Sequence, residues 1–146
     1  MWKKILVPID GSKYGEKAIE IAADLAKPFK SKITLLLVNV PMSHIYADEG
    51  FLVPDYTDDL EKQGAKLLAR SLKIAESNGL KAETLMVTGN AAEQIANVAN
   101  REKYDLIIIG SRGLSRAKAF LLGSVSDKVI RYSKCPVLVV KLQSSS

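Results

Sequence analysis

The chain has little of what several kinds of site require, because its 146 residues include one cysteine and one histidine. A lone cysteine, Cys135, cannot form an internal disulfide, which suits a reducing cytoplasm; we interpret it as a small apolar filler. The single histidine, His44, follows the second predicted strand, where a lone loop histidine is more often incidental than catalytic. No histidine, cysteine and carboxylate cluster has the spacing of zinc ligands.

Long apolar runs and the commonest nucleotide motifs are also absent. No apolar run is long enough to span a membrane, and the run between Lys4 and Asp10 is too short for a signal peptide. We therefore expect no membrane association. Neither G-x4-G-K-[ST] nor G-x-G-x-x-G occurs, which argues against a Walker-type ATPase and against a dinucleotide-binding fold.

Charge gives a local rather than a global signal. The net charge is +5, but the 21 basic residues are mixed with 16 acidic ones, as on a solvated surface. With no aromatic-basic platform and no helix-turn-helix pattern, we expect no nucleic-acid binding. Between Arg112 and Leu122, however, three basic residues occur without an acidic one: Arg112, Arg116 and Lys118.

Strand and helix patterns alternate along the chain. Apolar runs predict strands at 3–9, 32–40, 81–87, 104–109 and 137–140. Helical patterns follow Ser12 and Asn90 and cover 57–77 and 124–132. This alternation predicts an α/β fold with an open, five-stranded parallel sheet and helices on both faces. Without an internal repeat or linker, we expect one domain over residues 1–146.

The most informative stretch places three glycines around a strand end and a helix start. Gly110 ends an apolar run, Gly113 follows two residues later, and Gly123-Ser124 precedes a helical pattern. Glycines allow backbone amides to gather around one anion, and a helix N-terminus adds unpaired N–H groups and partial positive charge. The sequence therefore predicts a phosphate site at the edge of the sheet. If Asp10 and Gly110 serve one ligand, strands one and four must be neighbours, as in the order 3-2-1-4-5.

This G-x2-G-x9-G-S spacing resembles the signature of the ATP-binding branch of the universal stress protein family. The resemblance extends over the whole chain, through KKILVPIDGS at 3–12, LLLVNV at 35–40, DLIIIGSRG at 105–113 and CPVLVVK at 135–141. It implies an adenine nucleotide alpha hydrolase-like fold with the same strand order. It also implies that ATP, with Mg²⁺, is the ligand, that Asp10 contacts ribose, and that the backbone of Val38 contacts adenine.

Motif and resemblance together give one set of candidate nucleotide-binding residues and no catalytic or protein-bound metal set. The candidates are Pro8, Ile9, Asp10, Val38, Ile109, Gly110, Arg112, Gly113, Gly123, Ser124, Val125 and Ser126. Other interpretations stay open for three of them. Asp10 can cap the first helix or form an Asp-Gly turn, Ser124 can cap its helix in a pair with Asp127, and Arg112 can simply be solvated.

Three functions are consistent with these residues. The first is an ATP-binding regulatory module with slow or no hydrolysis, which acts on an unknown protein partner. The others are an enzyme that acts on the α-phosphate of ATP and a dimeric adaptor without nucleotide. We expect a homodimer through the apolar edge strand that runs from Val137 to Lys141, as the resemblance also implies. The long irregular stretch at 41–56 is typical of a functional or mobile loop.

Overall fold

Nine elements alternate between strand and helix in the computed structural model, which describes residues 1–41, 57–113 and 122–142. Within those ranges, no helix combines the length and apolar character needed to cross a membrane. The strands are β1 (Lys4–Ile9), β2 (Lys32–Asn39), β3 (Ala82–Thr88), β4 (Leu106–Gly110) and β5 (Val137–Val140). The helices are α1 (Lys13–Phe29), α2 (Thr57–Ser77), α3 (Ala91–Arg101) and α4 (Ser124–Tyr132). The predictions for His44, Arg116, Lys118 and most of the 41–56 stretch lie outside the described residues.

The five strands form one parallel sheet in the order β3-β2-β1-β4-β5, which confirms the predicted topology. In register, Ile5 of β1 lies opposite Ile33 of β2 on one side and Leu106 of β4 on the other. Strands β1 and β4 are buried almost throughout, because helices cover both faces of the sheet centre.

Alternate residues of β1 enter two separate cores, since successive side chains of a strand point to opposite faces. Ile5 and Val7 pack with the buried residues of α1 and α2, among them Ile19. Leu6 packs on the other face with residues of α3 and α4, including Val98 and Val129. The chain therefore winds over one face as far as β3 and over the other face after it.

Two predicted helix starts are confirmed by their caps. The Ser12 hydroxyl accepts a hydrogen bond from the Gly15 amide at 3.3 Å, and the Asn90 side chain accepts one from the Glu93 amide at 3.1 Å. Each satisfies an amide that has no acceptor inside its helix. At the C-terminal end of α2, Gly79 has a φ of +75°. This is the left-handed conformation that often follows the end of a helix and that glycine adopts most easily.

Candidate functional site

A cleft of about 270 Å³ opens at the carboxyl edge of the sheet, between β1 and β4. At this point β1 leads into α1 on one face, whereas β4 leads towards α4 on the other face. Such a reversal leaves a crevice between the two strand ends, where open α/β sheets bind their ligands. All the candidate residues from the sequence line this one cleft.

Five further residues line the cleft that the sequence interpretation missed: Ser12, Gly15, Leu36, Ala91 and Ile95. Leu36 and Ile95 are almost fully buried, so in the sequence they are indistinguishable from other core residues. The missed signal lies in α3, where Ala91 and Ile95 are four residues apart and therefore share one helix face. Together with Val38 and Ile109 they make part of the cleft lining apolar.

Asp10 forms the local turn that the sequence left open, whereas the hypothesis that it caps the first helix is wrong, because Ser12 is the N-cap of α1. Its Oδ1 accepts a hydrogen bond from the Ser12 amide at 2.9 Å, which is the local turn contact typical of aspartate before a helix. Its Oδ2 lies directly beside Gly113 in the glycine loop. The turn contact thus fixes the carboxylate, while the second oxygen faces the loop that follows β4.

Neighbouring protein atoms leave no room for a side chain at Gly110 or Gly113. A Cβ on Gly110 would lie 2.5 Å from Cβ and 3.0 Å from the carbonyl carbon of Tyr14, in the first turn of α1. A Cβ on Gly113 would collide with Oδ2 of Asp10. Contacts this short do not occur between real atoms, so a side chain at either position would push α1 or Asp10 away from β4. The glycine spacing therefore allows the walls of the cleft to approach each other.

The third glycine, Gly123, is the N-cap of α4. It has extended φ and ψ of −65° and 154°, and no side chain caps the helix. Its carbonyl accepts the Asp127 amide at 3.0 Å, and its own amide donates to the Ser111 carbonyl at 2.7 Å. The hypothesis that Ser124 caps this helix is therefore wrong, because these bonds place the cap one residue earlier. Ser124 is the first helical residue, and its hydroxyl is exposed.

The start of α4 consequently presents amide hydrogens to the cleft. The N–H groups of Ser124, Val125 and Ser126 have no acceptor within the helix, and all three residues line the cleft. The hydroxyl of Ser126 is buried and donates to the Gly110 carbonyl at 2.6 Å. The Ser126 hydroxyl hydrogen is thus already used, which leaves its amide as the donor available to a ligand.

Charges near the cleft favour an anion at this end. Asp127 in the first turn of α4 pairs with Arg131 at 3.3 Å, which offsets a carboxylate close to the helix start. Arg112 lines the cleft, and its Cζ lies 5.5 Å from the centre of the Tyr14 ring. Its Nε is buried and has no hydrogen-bond partner among the residues that the structure describes.

Metal binding by side chains alone has no support in the described ranges. Within them, no group of three or more histidine, cysteine, aspartate and glutamate side chains is placed to hold a metal ion. A magnesium ion commonly binds through substrate phosphates and water with only one or two protein carboxylates.

Sequence and structure comparisons agree with this geometry. A profile described as the universal stress protein family matches residues 1–141. Universal stress protein YxiE of Bacillus subtilis (strain 168) is 38% identical over 149 residues, which cover 97% of this chain and 100% of that protein.

Two solved structures have the same fold over nearly their whole length. The hypothetical protein MJ0577 superposes with a TM-score of 0.82 at 32% identity, covering 99% of each chain. A universal stress protein in complex with cAMP gives a TM-score of 0.74 at 26% identity, covering 97% of this chain and 98% of that one. Because the family profile and a relative of this similarity both span almost all of the sequence, the chain belongs to the universal stress protein family.

Proposed function

We propose that this protein binds ATP with Mg²⁺ in the cleft between β1 and β4 and acts as a nucleotide-responsive regulatory module on a partner protein. The observation that carries the proposal is the composition of the cleft. The lining combines three parts: apolar side chains, a carboxylate fixed through one oxygen, and a helix N-terminus together with an arginine nitrogen that has no partner among the described residues. These three parts match the base, the sugar and the phosphates of a nucleotide. The cAMP complex of a relative supports the adenine nucleotide as the ligand class.

The nucleoside half binds where the cleft is apolar. We place the adenine among Pro8, Ile9, Val38 and Ile109, with the missed apolar residues of β2 and α3 closing the pocket. The Oδ2 atom of Asp10 is the acceptor that we assign to the ribose hydroxyls. Its position is set by the bond between Oδ1 and the Ser12 amide, so little side-chain entropy is lost on binding.

The phosphates bind at the glycine loop and the start of α4. The amides of Ser124, Val125 and Ser126 and the guanidinium of Arg112 are the donors that we assign to them. A hydrogen bond to a charged group contributes about 1.5–3 kcal/mol. Four such bonds contribute about 6–12 kcal/mol; together with burial of the base, and after several kcal/mol for association, we expect about −8 kcal/mol, or roughly micromolar affinity. Mg²⁺ would be held by the phosphates, where it offsets their negative charge.

We expect hydrolysis to be slow or absent. Among the described residues, no histidine or cysteine lines the cleft, and its one carboxylate has Oδ1 bonded to a backbone amide and Oδ2 assigned to the ribose. A general base must reach the attacking water with an unoccupied acceptor at a suitable angle. A rapid turnover of ATP to ADP or AMP, well within the usual range of enzyme rates, would instead indicate an enzyme.

The amides of α4 can be tested by a pair of variants at Ser124. Ser124→Ala removes the hydroxyl, whereas Ser124→Pro removes the hydroxyl and the amide hydrogen. Proline is favoured at the first position of a helix, and the φ and ψ of Gly123, −65° and 154°, suit a residue before proline. Ser124→Pro should therefore keep the fold and bind ATP roughly 10-fold more weakly than Ser124→Ala, the effect of one charge-assisted bond.

Isothermal titration of the wild type and both variants with ATP, AMP, cAMP and GTP measures this difference. Thermal unfolding without nucleotide is the control, and it should show Ser124→Pro to be at least as stable as Ser124→Ala. Equal ATP affinities of the two variants would remove the helix amides from the site. A wild-type protein that binds no adenine nucleotide would refute the proposal as a whole.

We further propose a homodimer in which β5 pairs with the same strand of a second copy. In the described part of the chain β5 pairs only with β4, so its other edge is open. Apolar side chains are exposed next to that edge, with Leu138 at 38%, Ile130 at 44% and Tyr132 at 53% of their full accessibility. Light scattering should give a dimer for the wild type and a monomer for Leu138→Lys, with Leu85→Lys on the opposite edge strand as control. A monomeric wild type at high micromolar concentration would contradict this.

A further inference from the structure

Tyr14 contacts the site without being part of it. It lies in the first turn of α1 and does not line the cleft, yet its ring stacks beneath the guanidinium of Arg112 at 5.5 Å. A cation within about 6 Å of an aromatic ring centre is attracted by the negative face of the ring. The sequence gives no signal for this pair, because the two residues are 98 positions apart (112 − 14) and belong to different elements.

The backbone around Tyr14 is held in place from two sides. Ser12 caps the helix through the Gly15 amide, which fixes the turn that carries Tyr14. Gly110 lies against Tyr14 so closely that even one added carbon would not fit between them. The first glycine of the motif therefore sets the distance between Tyr14 and the end of β4, from which Arg112 departs two residues later.

Arg112, in contrast, forms no ion pair with the residues that the structure describes. It follows the strand end in an irregular segment, and its Nε makes no hydrogen bond to the described residues. A free arginine side chain has many rotamers, and it loses that freedom when it binds an anion. An aromatic ring beside the guanidinium restricts those rotamers in advance.

We infer that Tyr14 is a positioning residue, which holds Arg112 over the phosphate end of the cleft and thereby raises the affinity for phosphorylated nucleotides relative to nucleosides. This inference rests on the proposed function, because it assumes that the phosphates of a nucleotide lie beside Arg112. It adds a residue outside the cleft whose aromatic face, and not its hydroxyl, matters.

The test compares Tyr14→Leu with Tyr14→Phe, in the wild type and in Arg112→Gln. Leucine fills a similar volume without an aromatic face, and phenylalanine keeps the face without the hydroxyl. Titration calorimetry with ATP, adenosine and tripolyphosphate measures the affinities. We expect Tyr14→Leu to weaken ATP and tripolyphosphate binding roughly two- to five-fold, the value of an accessible cation–π contact. Adenosine binding should be unchanged, and Tyr14→Phe should behave like the wild type.

In the Arg112→Gln background, Tyr14→Leu should have no further effect, because the cation that the ring supports is gone. The inference is overturned if ATP and adenosine weaken in parallel, if Tyr14→Phe loses as much as Tyr14→Leu, or if the loss persists without Arg112. If the wild type binds ATP and Tyr14→Leu binds it with the same affinity, the inference is refuted and the proposed function is left intact. A wild type that binds none of the three probes refutes both.

Discussion

The contact between Gly110 and Tyr14 leads to a prediction about the protein without any ligand. If the motif glycines serve only to make room for phosphate, Gly110→Ala should leave the nucleotide-free protein undisturbed. The structure gives a different expectation, because the new Cβ would lie 2.5 Å from Cβ and 3.0 Å from the carbonyl carbon of Tyr14. Neither atom can move by a change of rotamer, so α1 must shift away from β4.

The size of the effect follows from three contributions. Overpacking a buried position costs about 1–3 kcal/mol, and displacement of the Gly110 carbonyl weakens its bond with Ser126, worth about 1 kcal/mol. The reduced freedom of the unfolded chain offsets about 0.4–1 kcal/mol, since φ at Gly110 is accessible to alanine. We therefore expect Gly110→Ala to lose about 1–3 kcal/mol of unfolding free energy, or roughly 3–10 °C in Tm.

A matched control lies in α1. At Gly15 an added Cβ would be 3.6 Å from its nearest neighbour, an ordinary contact, and the residue is helical. Gly15→Ala should therefore be stabilising, by up to about 1 kcal/mol. Urea unfolding of nucleotide-free protein, checked by mass spectrometry for retained ligand, measures both variants. A Gly110→Ala protein as stable as the wild type would refute the packing role that we assign to this glycine.

Three further predictions concern contacts away from the cleft. Asp105→Ala should lower the unfolding free energy by about 1–2 kcal/mol, because Oδ2 accepts two amides at the start of β1, at 2.9 and 2.8 Å; urea unfolding with no change would contradict this. Tyr104→Phe should cost about 1 kcal/mol through the lost 2.9 Å bond to Thr34 Oγ1, and its cost should shrink in a Thr34→Val background. Burial raises the pKa of the Cys135 thiol; a backbone hydrogen bond opposes this rise, and the charge of Asp105 adds slightly to it. Iodoacetamide should therefore alkylate the folded protein more slowly than the unfolded protein at pH 8, and the difference should narrow as the pH rises through the folded-state pKa; equal rates would count against the shift.

Much of the fold could be predicted from the sequence, because local patterns fix it. The apolar runs gave the strands to within one or two residues, and Asn78-Gly79 marked the end of α2 where the structure has it. A shared ligand for Asp10 and Gly110 required that β1 and β4 be neighbours, which the order 3-2-1-4-5 satisfies, and the family resemblance implied the same order. The candidate residues could be collected for a similar reason, since the carboxyl ends of neighbouring parallel strands meet at one edge.

The remainder depends on contacts between distant residues that leave no local pattern. Ile95 packs in the core and also lines the cleft. Only the position of α3 in the folded chain shows that it does both. The helix cap falls on Gly123 and not Ser124 because a bond to Ser111, across the loop, fixes the chain there. The contact of Tyr14 with Arg112 has the same origin.

The bonds across the loop that joins β4 to α4 have a consequence for variation and engineering. The Gly123 amide is tied to the Ser111 carbonyl at 2.7 Å, and the Ser126 hydroxyl to the Gly110 carbonyl at 2.6 Å. These two hydrogen bonds hold the end of β4 next to the start of α4, whatever the number of residues between them. Since doubling the length of a connection adds only about 0.6 kcal/mol of closure cost, both bonds should persist in variants that differ in the number of residues between Gly113 and Leu122.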